Sequence, residues 1–168
     1  MLFRSRTSLS QTACNVILGL LVLVLLAGPR SALAVQGNDA ALAFVQQRHL
    51  GDSLAWLGYQ VASRTVTFAT LVQKVGKTQA QTTVQDALQH LQPRYQEQWN
   101  SNMAAAYAES FTPEELRELN EGSPPSVLAN KFRAKQKDVG MSMKAKSDEL
   151  LNTFVSKALL DAQDTVSH

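Results

Sequence analysis

Apolar side chains recur every three or four residues along most of the chain, which is the spacing of an amphipathic α-helix. The clearest stripe comprises Val84, Leu88, Leu91, Tyr95, Trp99, Met103 and Tyr107. A second comprises Leu128, Phe132, Val139, Met143, Leu150, Phe154 and Ala158. Residues 65–72 alternate and are rich in β-branched side chains, as in a strand, but no second segment exists to pair with them. The pattern therefore predicts an all-α fold, a single compact bundle of five or six helices.

Turn-forming residues between the apolar stripes predict where the first helices begin and end. We expect a helix over residues 38–49, closed by Gly51 in the left-handed conformation. One long helix should follow over residues 53–75 and end at Gly76. Thr78 is expected to cap the helix after that.

Two residues leave the continuity of the long helices open. Pro93 interrupts the first stripe, because proline removes a backbone donor and clashes with the preceding turn. Gly140 lies within the second stripe and weakens a helix at that point. In each case the sequence allows either one continuous or kinked helix or two shorter ones.

The first 34 residues have the three parts of a secretory signal peptide. Arg4 and Arg6 supply the positive start, and an apolar run follows over residues 16–27. Pro29 then precedes Ala32-Leu33-Ala34, which has the small-x-small form that signal peptidase accepts. Twelve apolar residues cover about 18 Å as a helix, too short to span a membrane. We expect cleavage near Ala34, a helical domain over residues 35–168 without a transmembrane anchor, and a periplasmic or secreted location.

Removal of this segment changes the charge and the thiol content of the protein. Three of the 16 basic residues lie in it and none of the 14 acidic residues does, so the mature chain carries 13 basic and 14 acidic groups. This balance gives no reason to expect a nucleic-acid partner. The single cysteine, Cys14, is also removed, which suits an oxidising compartment and excludes cysteine nucleophiles and thiolate metal sites from the mature protein.

A motif in the C-terminal half resembles a known family. Phe111-Thr112-Pro113-Glu114-Glu115-Leu116 has every part of a helix start, with Thr112 as the cap and Glu115 completing the capping box. Ser123-Pro124 and a long amphipathic segment follow. Over residues 95–162 this arrangement resembles a family of secreted Gram-negative proteins, the domain of unknown function numbered twenty fifty-nine. The resemblance implies an all-helical, exported protein, and the family has no established activity.

Candidate metal ligands are few. His90 has Asp86 four residues before it and Glu97 seven residues after it, so the three would fall within a 40° sector of a continuous helix. The same geometry places them opposite the apolar stripe, where a solvated face is the simpler interpretation. We therefore expect no metal site and no cofactor.

Motifs for catalysis are also missing from the sequence. There is no nucleophile elbow, no glycine-rich phosphate loop and no dinucleotide fingerprint. We expect a non-enzymatic protein that binds another envelope protein or itself. The alternative is an envelope hydrolase whose site is assembled across helices, because active sites can be built from distant residues.

Charge is segregated between two neighbouring segments. Residues 109–121 carry a net charge of −4, and residues 131–146 carry +5. The candidate binding residues are the four basic side chains that alternate at the start of the second segment: Lys131, Arg133, Lys135 and Lys137. They could form a solvated face that partly pairs with the acidic segment. They could instead be a basic patch for anionic lipid, lipopolysaccharide or an acidic partner.

Two pairs of aromatic residues lie at helical spacing. Trp56 and Tyr59 are three residues apart, and Tyr95 and Trp99 are four apart. We expect both pairs to fill the core. The alternative is a groove for a peptide or an apolar ligand.

Overall fold

The computed structural model describes the backbone of residues 30–168 and the side chains of residues 38–168. Residues 30–168 form six helices: α1 (Arg30–Gln47), α2 (Leu54–Ala62), α3 (Val66–Val75), α4 (Lys77–Ala108), α5 (Pro113–Glu121) and α6 (Ser126–Ser167). No strand occurs between residues 30 and 168, and residues 36–168 form one compact unit. The predicted all-α bundle is confirmed. Most of the predicted signal peptide lies outside the described residues, and the predicted cleavage site after Ala34 lies within α1.

The two long helices carry the apolar stripes that the sequence predicts, and they form the centre of the bundle. α4 and α6 pack along each other more extensively than any other pair. α2 and α3 contact both of them, and α5 contacts α6. Leu88 of α4 and Phe154 of α6 are fully buried. The hydrophobic stabilisation of the fold is therefore concentrated along this seam.

Gly58 allows α2 to approach the seam closely. A β-carbon at this position would lie 2.8 Å from Cε1 of Phe154 and 2.9 Å from Cδ2 of Leu88. Both distances are shorter than ordinary carbon–carbon contacts, which are about 3.5–4.0 Å. A side chain at position 58 would thus force apart the side chains at the most buried part of the core.

Both long helices are continuous. α4 passes through Pro93 and α6 passes through Gly140, so the possibility that either residue splits its helix is excluded. The apolar stripe lies on the same side before and after Pro93, with Leu91 and Trp99 both buried. Packing on both sides of the proline can offset the backbone hydrogen bond that it removes.

The single helix predicted over residues 53–75 is two helices, so this prediction was wrong. The hydroxyl of Thr65 donates to the carbonyl of Ala62 at 2.7 Å and accepts from the N–H of Phe68 at 3.1 Å. A threonine side chain can compete with the backbone for hydrogen bonds in this way, which ends one helix and caps the next. The strand-like segment that follows is helical from Val66, as expected.

Two further boundary predictions were wrong. The positive φ after α1 belongs to His49 (53°) and not to Gly51. A glycine is needed at position 51 because there is no room for a side chain. A β-carbon there would lie 1.8 Å from Oδ1 of Asn100. α4 begins at Lys77, directly after Gly76 (φ 84°), so Thr78 lies inside the first turn and does not cap the helix.

The predicted start of α5 is confirmed. The hydroxyl of Thr112 accepts from the N–H of Glu115 at 3.2 Å, and the Glu115 carboxylate accepts from the N–H of Thr112 at 2.9 Å. Gly122 follows in the left-handed conformation, with φ 92°. These caps place a short, well-defined helix beside the first turns of α6.

Candidate functional site

A half-open cleft of about 530 Å³ lies where the end of α1, the end of α5 and the first turns of α6 meet. It is lined by Phe44, Arg48, Leu50, Leu119, Gly122, Pro124, Ala129, Phe132 and Arg133. This volume lies within the range of about 300–1,000 Å³ that is typical of small-molecule sites. The lining is mostly apolar, and arginine is its only charged residue type. Such a composition is suited to binding an apolar molecule.

The cleft exists because α1 packs against the other helices through large side chains, so its backbone lies close to their backbones at only a few points. The ring of Phe44 lies edge-on to Tyr107 at 5.1 Å and to Phe132 at 6.2 Å. Phe111 completes this cluster, 5.8 Å from Phe132. The aromatic rings fill one side of the gap between the helices and leave the other side open.

Polar contacts fix α5, which forms one wall of the cleft. The guanidinium of Arg48 donates to the carbonyl oxygen of Leu119, in the last turn of α5. This contact satisfies a carbonyl at a helix C-terminus, where positive charge is favourable. The amide of Asn120 also donates to the side chain of Gln47. The ends of α1 and α5 are therefore held together beside the cleft.

An ion pair fixes the start of α5 against α6. The ammonium of Lys131 donates to both oxygens of the Glu115 carboxylate, at 2.6 and 2.7 Å. The same ammonium lies 5.2 Å from the centre of the Phe111 ring, which favours it through a cation–π interaction. Lys131 thus contributes to holding α5 in place against α6.

The cleft carries positive charge without a carboxylate among its lining residues. Arg48 and Arg133 contribute two guanidinium groups, and none of the residues that line the cleft is acidic. Arg133 is exposed and donates to the amide oxygen of Asn130 at 2.5 Å, so its charge is not neutralised there. The first turn of α6 also begins here, at Ser126, without a side-chain cap. The free N–H groups of that turn add to the positive potential.

The four basic residues singled out from the sequence have four different environments. Lys131 pairs with Glu115, and Lys135 pairs with Asp138 at 2.8 Å. Arg133 reaches the cleft, and Lys137 is exposed on α6. The structure does not bring the four side chains together on one face. Residues that alternate along a helix point to nearly opposite sides of it, so they cannot share one face.

Charge pairing between the acidic and basic segments is partial. Lys146 of α6 lies 2.7 Å from the carboxylate of Glu109, which follows α4, and the hydroxyl of Ser142 donates to that carboxylate at 2.5 Å. Together with the pair between Glu115 and Lys131, this contact ties α6 to the preceding elements. The expected pairing is therefore present at Glu109 and at Glu115 of the acidic segment.

Carboxylates in these pairs have lowered pKa values. Burial acts to raise the pKa of Glu115, but the hydrogen bonds from Lys131 and from the N–H of Thr112 outweigh it, so the pKa lies below its ordinary value. Hydrogen bonds from Lys146 and Ser142 lower the pKa of Glu109. Both groups are thus held in the charged form and have no feature of a general acid.

The predicted polar face of α4 is confirmed as exposed. Asp86, His90 and Glu97 all lie on the surface, on the side away from the core stripe. Within residues 38–168, no three His, Cys, Asp or Glu side chains lie close enough together to hold a metal ion. His49 instead pairs with the Asp52 carboxylate at 3.1 Å, on the surface of the turn after α1.

The two aromatic pairs differ in how far they are buried. Trp99 is buried and Tyr95 packs 5.2 Å from Phe154, so the expectation of core packing is confirmed for this pair. Trp56 is 65% exposed, so the expectation was wrong for this residue. Trp56 lies on the outer side of α2 because Gly58, on the inner side, brings the helix backbone itself against the core. It borders a smaller cleft of about 240 Å³.

Sequence reasoning singled out Arg133 but missed its partners in the cleft. The aliphatic stem of Arg48 can lie along the apolar side of the first helix, and this is the one signal in the sequence that Arg48 lies near the core. Leu50 and Leu119 belong to two segments that are distant in sequence. No local pattern could show that the fold places them beside Phe132.

Comparisons with known proteins do not identify this chain. No family model matches it, and no curated protein and no solved structure matches it. Among the helices of the described part of the chain, none is long and apolar enough to cross a membrane.

Proposed function

We propose that this protein is an exported, non-enzymatic binding module and that the cleft between α1, α5 and α6 is its binding site. The observation that carries the proposal is the cleft itself, an apolar pocket of about 530 Å³ with two arginine side chains in its lining. Export to the periplasm or beyond rests on the signal-like sequence of residues 1–34. The resemblance to the secreted Gram-negative family agrees with this location and stays a prediction.

The chemistry around the cleft supports binding more than catalysis. The residues that line it include no histidine, serine or carboxylate that could act as a base or a nucleophile. The Glu115 carboxylate of α5 is engaged in a structural pair with Lys131. An apolar wall with a small number of fixed polar groups is the usual arrangement of a binding pocket.

Blocking the cleft tests the proposal directly. Ala129 lines the cleft from α6, and Ala129→Trp would fill it without changing the net charge. Ala134→Trp places the same side chain at an exposed position further along α6 and serves as the matched control. We expect the wild type and Ala134→Trp to bind the uncharged fluorescent probe N-phenylnaphthylamine saturably, and Ala129→Trp to lose at least tenfold in affinity.

Circular dichroism and thermal unfolding of both variants establish that they fold. No saturable binding by the wild type would overturn the proposal. Equal binding by the two folded variants would place the probe elsewhere and overturn it as well.

Export has its own test. Mass spectrometry of protein recovered from the periplasmic fraction of a Gram-negative host should give a chain that begins at Val35. An intact N-terminus on cytosolic material would refute the export part of the proposal and leave the binding part standing.

A second candidate function is adhesion to an anionic membrane surface. Arg133, Lys137 and Lys144 recur at spacings of four and seven residues, so they share one exposed face of α6. Changing all three to Glu should then abolish retention on vesicles that contain phosphatidylglycerol at low salt. Lys131, Lys135 and Lys144 are already paired with carboxylates and should contribute less than Arg133 and Lys137. If the wild type is not retained on these vesicles, this candidate is wrong.

A further inference from the structure

The geometry points to a single-chain carboxylate, a molecule with one long alkyl chain and one carboxylate head, as the ligand of the cleft. This inference rests on the proposed function and adds the chemical class of the ligand. It requires an apolar surface for the chain, a positive group for the head, and the absence of negative charge beside that group. The residues that line the cleft meet all three requirements.

The apolar part of the cleft provides the surface for the chain. Phe44 and Leu50 come from α1 and the turn after it, Leu119 from α5, and Phe132 from α6. Burial of each methylene of an alkyl chain stabilises the complex by about 0.8 kcal/mol. Both phenylalanine rings are held by the aromatic cluster, through contacts to Tyr107 at 5.1 and 6.3 Å. The surface is therefore formed before the ligand binds.

The positive part of the cleft provides the site for the head. Arg133 is exposed, and its one hydrogen-bond partner within residues 38–168 is the uncharged amide of Asn130. A guanidinium can exchange such a contact for a two-pronged pair with a carboxylate, which is the stronger interaction. Arg48 keeps some of its donors for Leu119 and adds a second positive charge nearby.

The same features disfavour other ligands. A cationic head would meet two arginines and no carboxylate among the lining residues. An uncharged head would gain no ionic attraction from the guanidinium group. A single cleft of about 530 Å³ is suited to one chain rather than to a two-chain phospholipid. Charge complementarity therefore selects an anionic head, and size selects one chain.

Displacement of N-phenylnaphthylamine by matched ligands tests the inference. Dodecanoate, dodecanol and dodecyl phosphate have the same chain and differ only in the head, and each is used below the concentration at which it forms micelles. We expect dodecanoate to displace the probe at roughly one-tenth of the concentration that dodecanol requires, because an ionic hydrogen bond adds affinity.

Two substitutions on one face of α6 identify the arginine that carries the preference. Arg133→Gln removes a positive charge from the cleft. Lys137→Gln removes a positive charge one turn later, outside the residues that line it, and is the matched control. Arg133→Gln should reduce the preference for dodecanoate over dodecanol to less than threefold, and Lys137→Gln should leave it unchanged. Probe binding should persist in both variants.

Several outcomes would overturn the inference. Equal displacement by dodecanoate and dodecanol would show that the head is not recognised. Stronger displacement by dodecyl phosphate would assign the cleft to a different head. A preference that survives Arg133→Gln, or that falls equally in Lys137→Gln, would remove Arg133 from the site. In each of these cases the probe still binds, so failure of the inference is distinguishable from failure of the proposed function.

Discussion

The two ends of the bundle are packed in different ways. Around Gly58, the backbone of α2 lies directly against Leu88 and Phe154, and both side chains are fully buried. At the other end, α1 is held at a distance by aromatic rings, and a cleft opens beside Phe132. One end has no room for a single methyl group, whereas the other has room for a ligand.

If the cleft binds a ligand as proposed, this difference separates stability from binding within one small fold. Close packing of the seam gives the fold most of its hydrophobic stabilisation, because every removed atom leaves a cavity. The looser end is held instead by polar contacts such as those of Arg48 with α5 and of Lys131 with Glu115. Substitutions at the two ends should therefore have unequal effects, and this expectation can be tested.

The largest effect is expected from truncation of the seam. Phe154→Ala should reduce the free energy of unfolding by about 3–5 kcal/mol, because it opens a cavity in a fully buried position. Phe132→Ala should cost less than half as much, because this ring is only partly buried and already borders an open cleft. Urea unfolding of the two variants measures both values. Equal losses would show that the ends are packed alike.

A pair of identical substitutions gives the next largest contrast. Gly58→Ala should destabilise the fold by about 1–3 kcal/mol, because the new methyl group overlaps with Phe154 and Leu88. Gly140→Ala adds the same group on an exposed helix with nothing within 4 Å, and should stabilise it by about 0.5–1 kcal/mol. Opposite shifts in melting temperature are expected, and shifts of the same sign would contradict the close approach at Gly58.

The helix cap at the start of α5 should have a smaller effect. Thr112→Ala removes the hydroxyl that accepts from the N–H of Glu115 and should cost about 1 kcal/mol. Thr112→Ser keeps the hydroxyl and should retain most of the stability, as measured by chemical unfolding. If serine and alanine were equally destabilising at this position, the capping hydrogen bond would not be the cause.

The smallest effect is a dependence on pH. The pKa of Glu115 in the folded state lies below its ordinary value of 4.5, so its ion pair stabilises the fold fully above that pH. The contribution is lost as pH falls through the lowered pKa, because the unfolded chain then binds the proton more readily. Glu115→Gln should flatten this part of the curve of unfolding free energy against pH. A curve that keeps its shape in Glu115→Gln would contradict the role of this ion pair.

The all-α class and the core stripes of the two long helices could be predicted from the sequence because they depend on local periodicity. The capping box at Thr112 was predictable for the same reason, since all of its parts lie within four residues. The break at Thr65 was missed because a threonine can either continue a helix or cap one. Gly58 gave no signal at all, since its role depends on Phe154, almost a hundred positions away.

The candidate site was the least predictable part for a related reason. Its lining comes from three separate segments, residues 44–50, 119–124 and 129–133, and the contact between Phe44 and Phe132 helps to bring α1 against α6. The charge pattern pointed to residues 131–137, but the fold engages Lys131 and Lys135 in ion pairs. Of the four basic candidates, only Arg133 lines the cleft.

The most direct test of the account is an NMR titration of the isotope-labelled protein with dodecanoate. The account predicts that amide shifts change at Leu50, Leu119 and Ala129, which line the cleft, with saturation at one ligand per chain. Amides near Gly58, at the closely packed end, should not move. Changes centred on Trp56 and its smaller cleft, or spread over the whole bundle, would contradict the claim that the loosely packed end is the binding site.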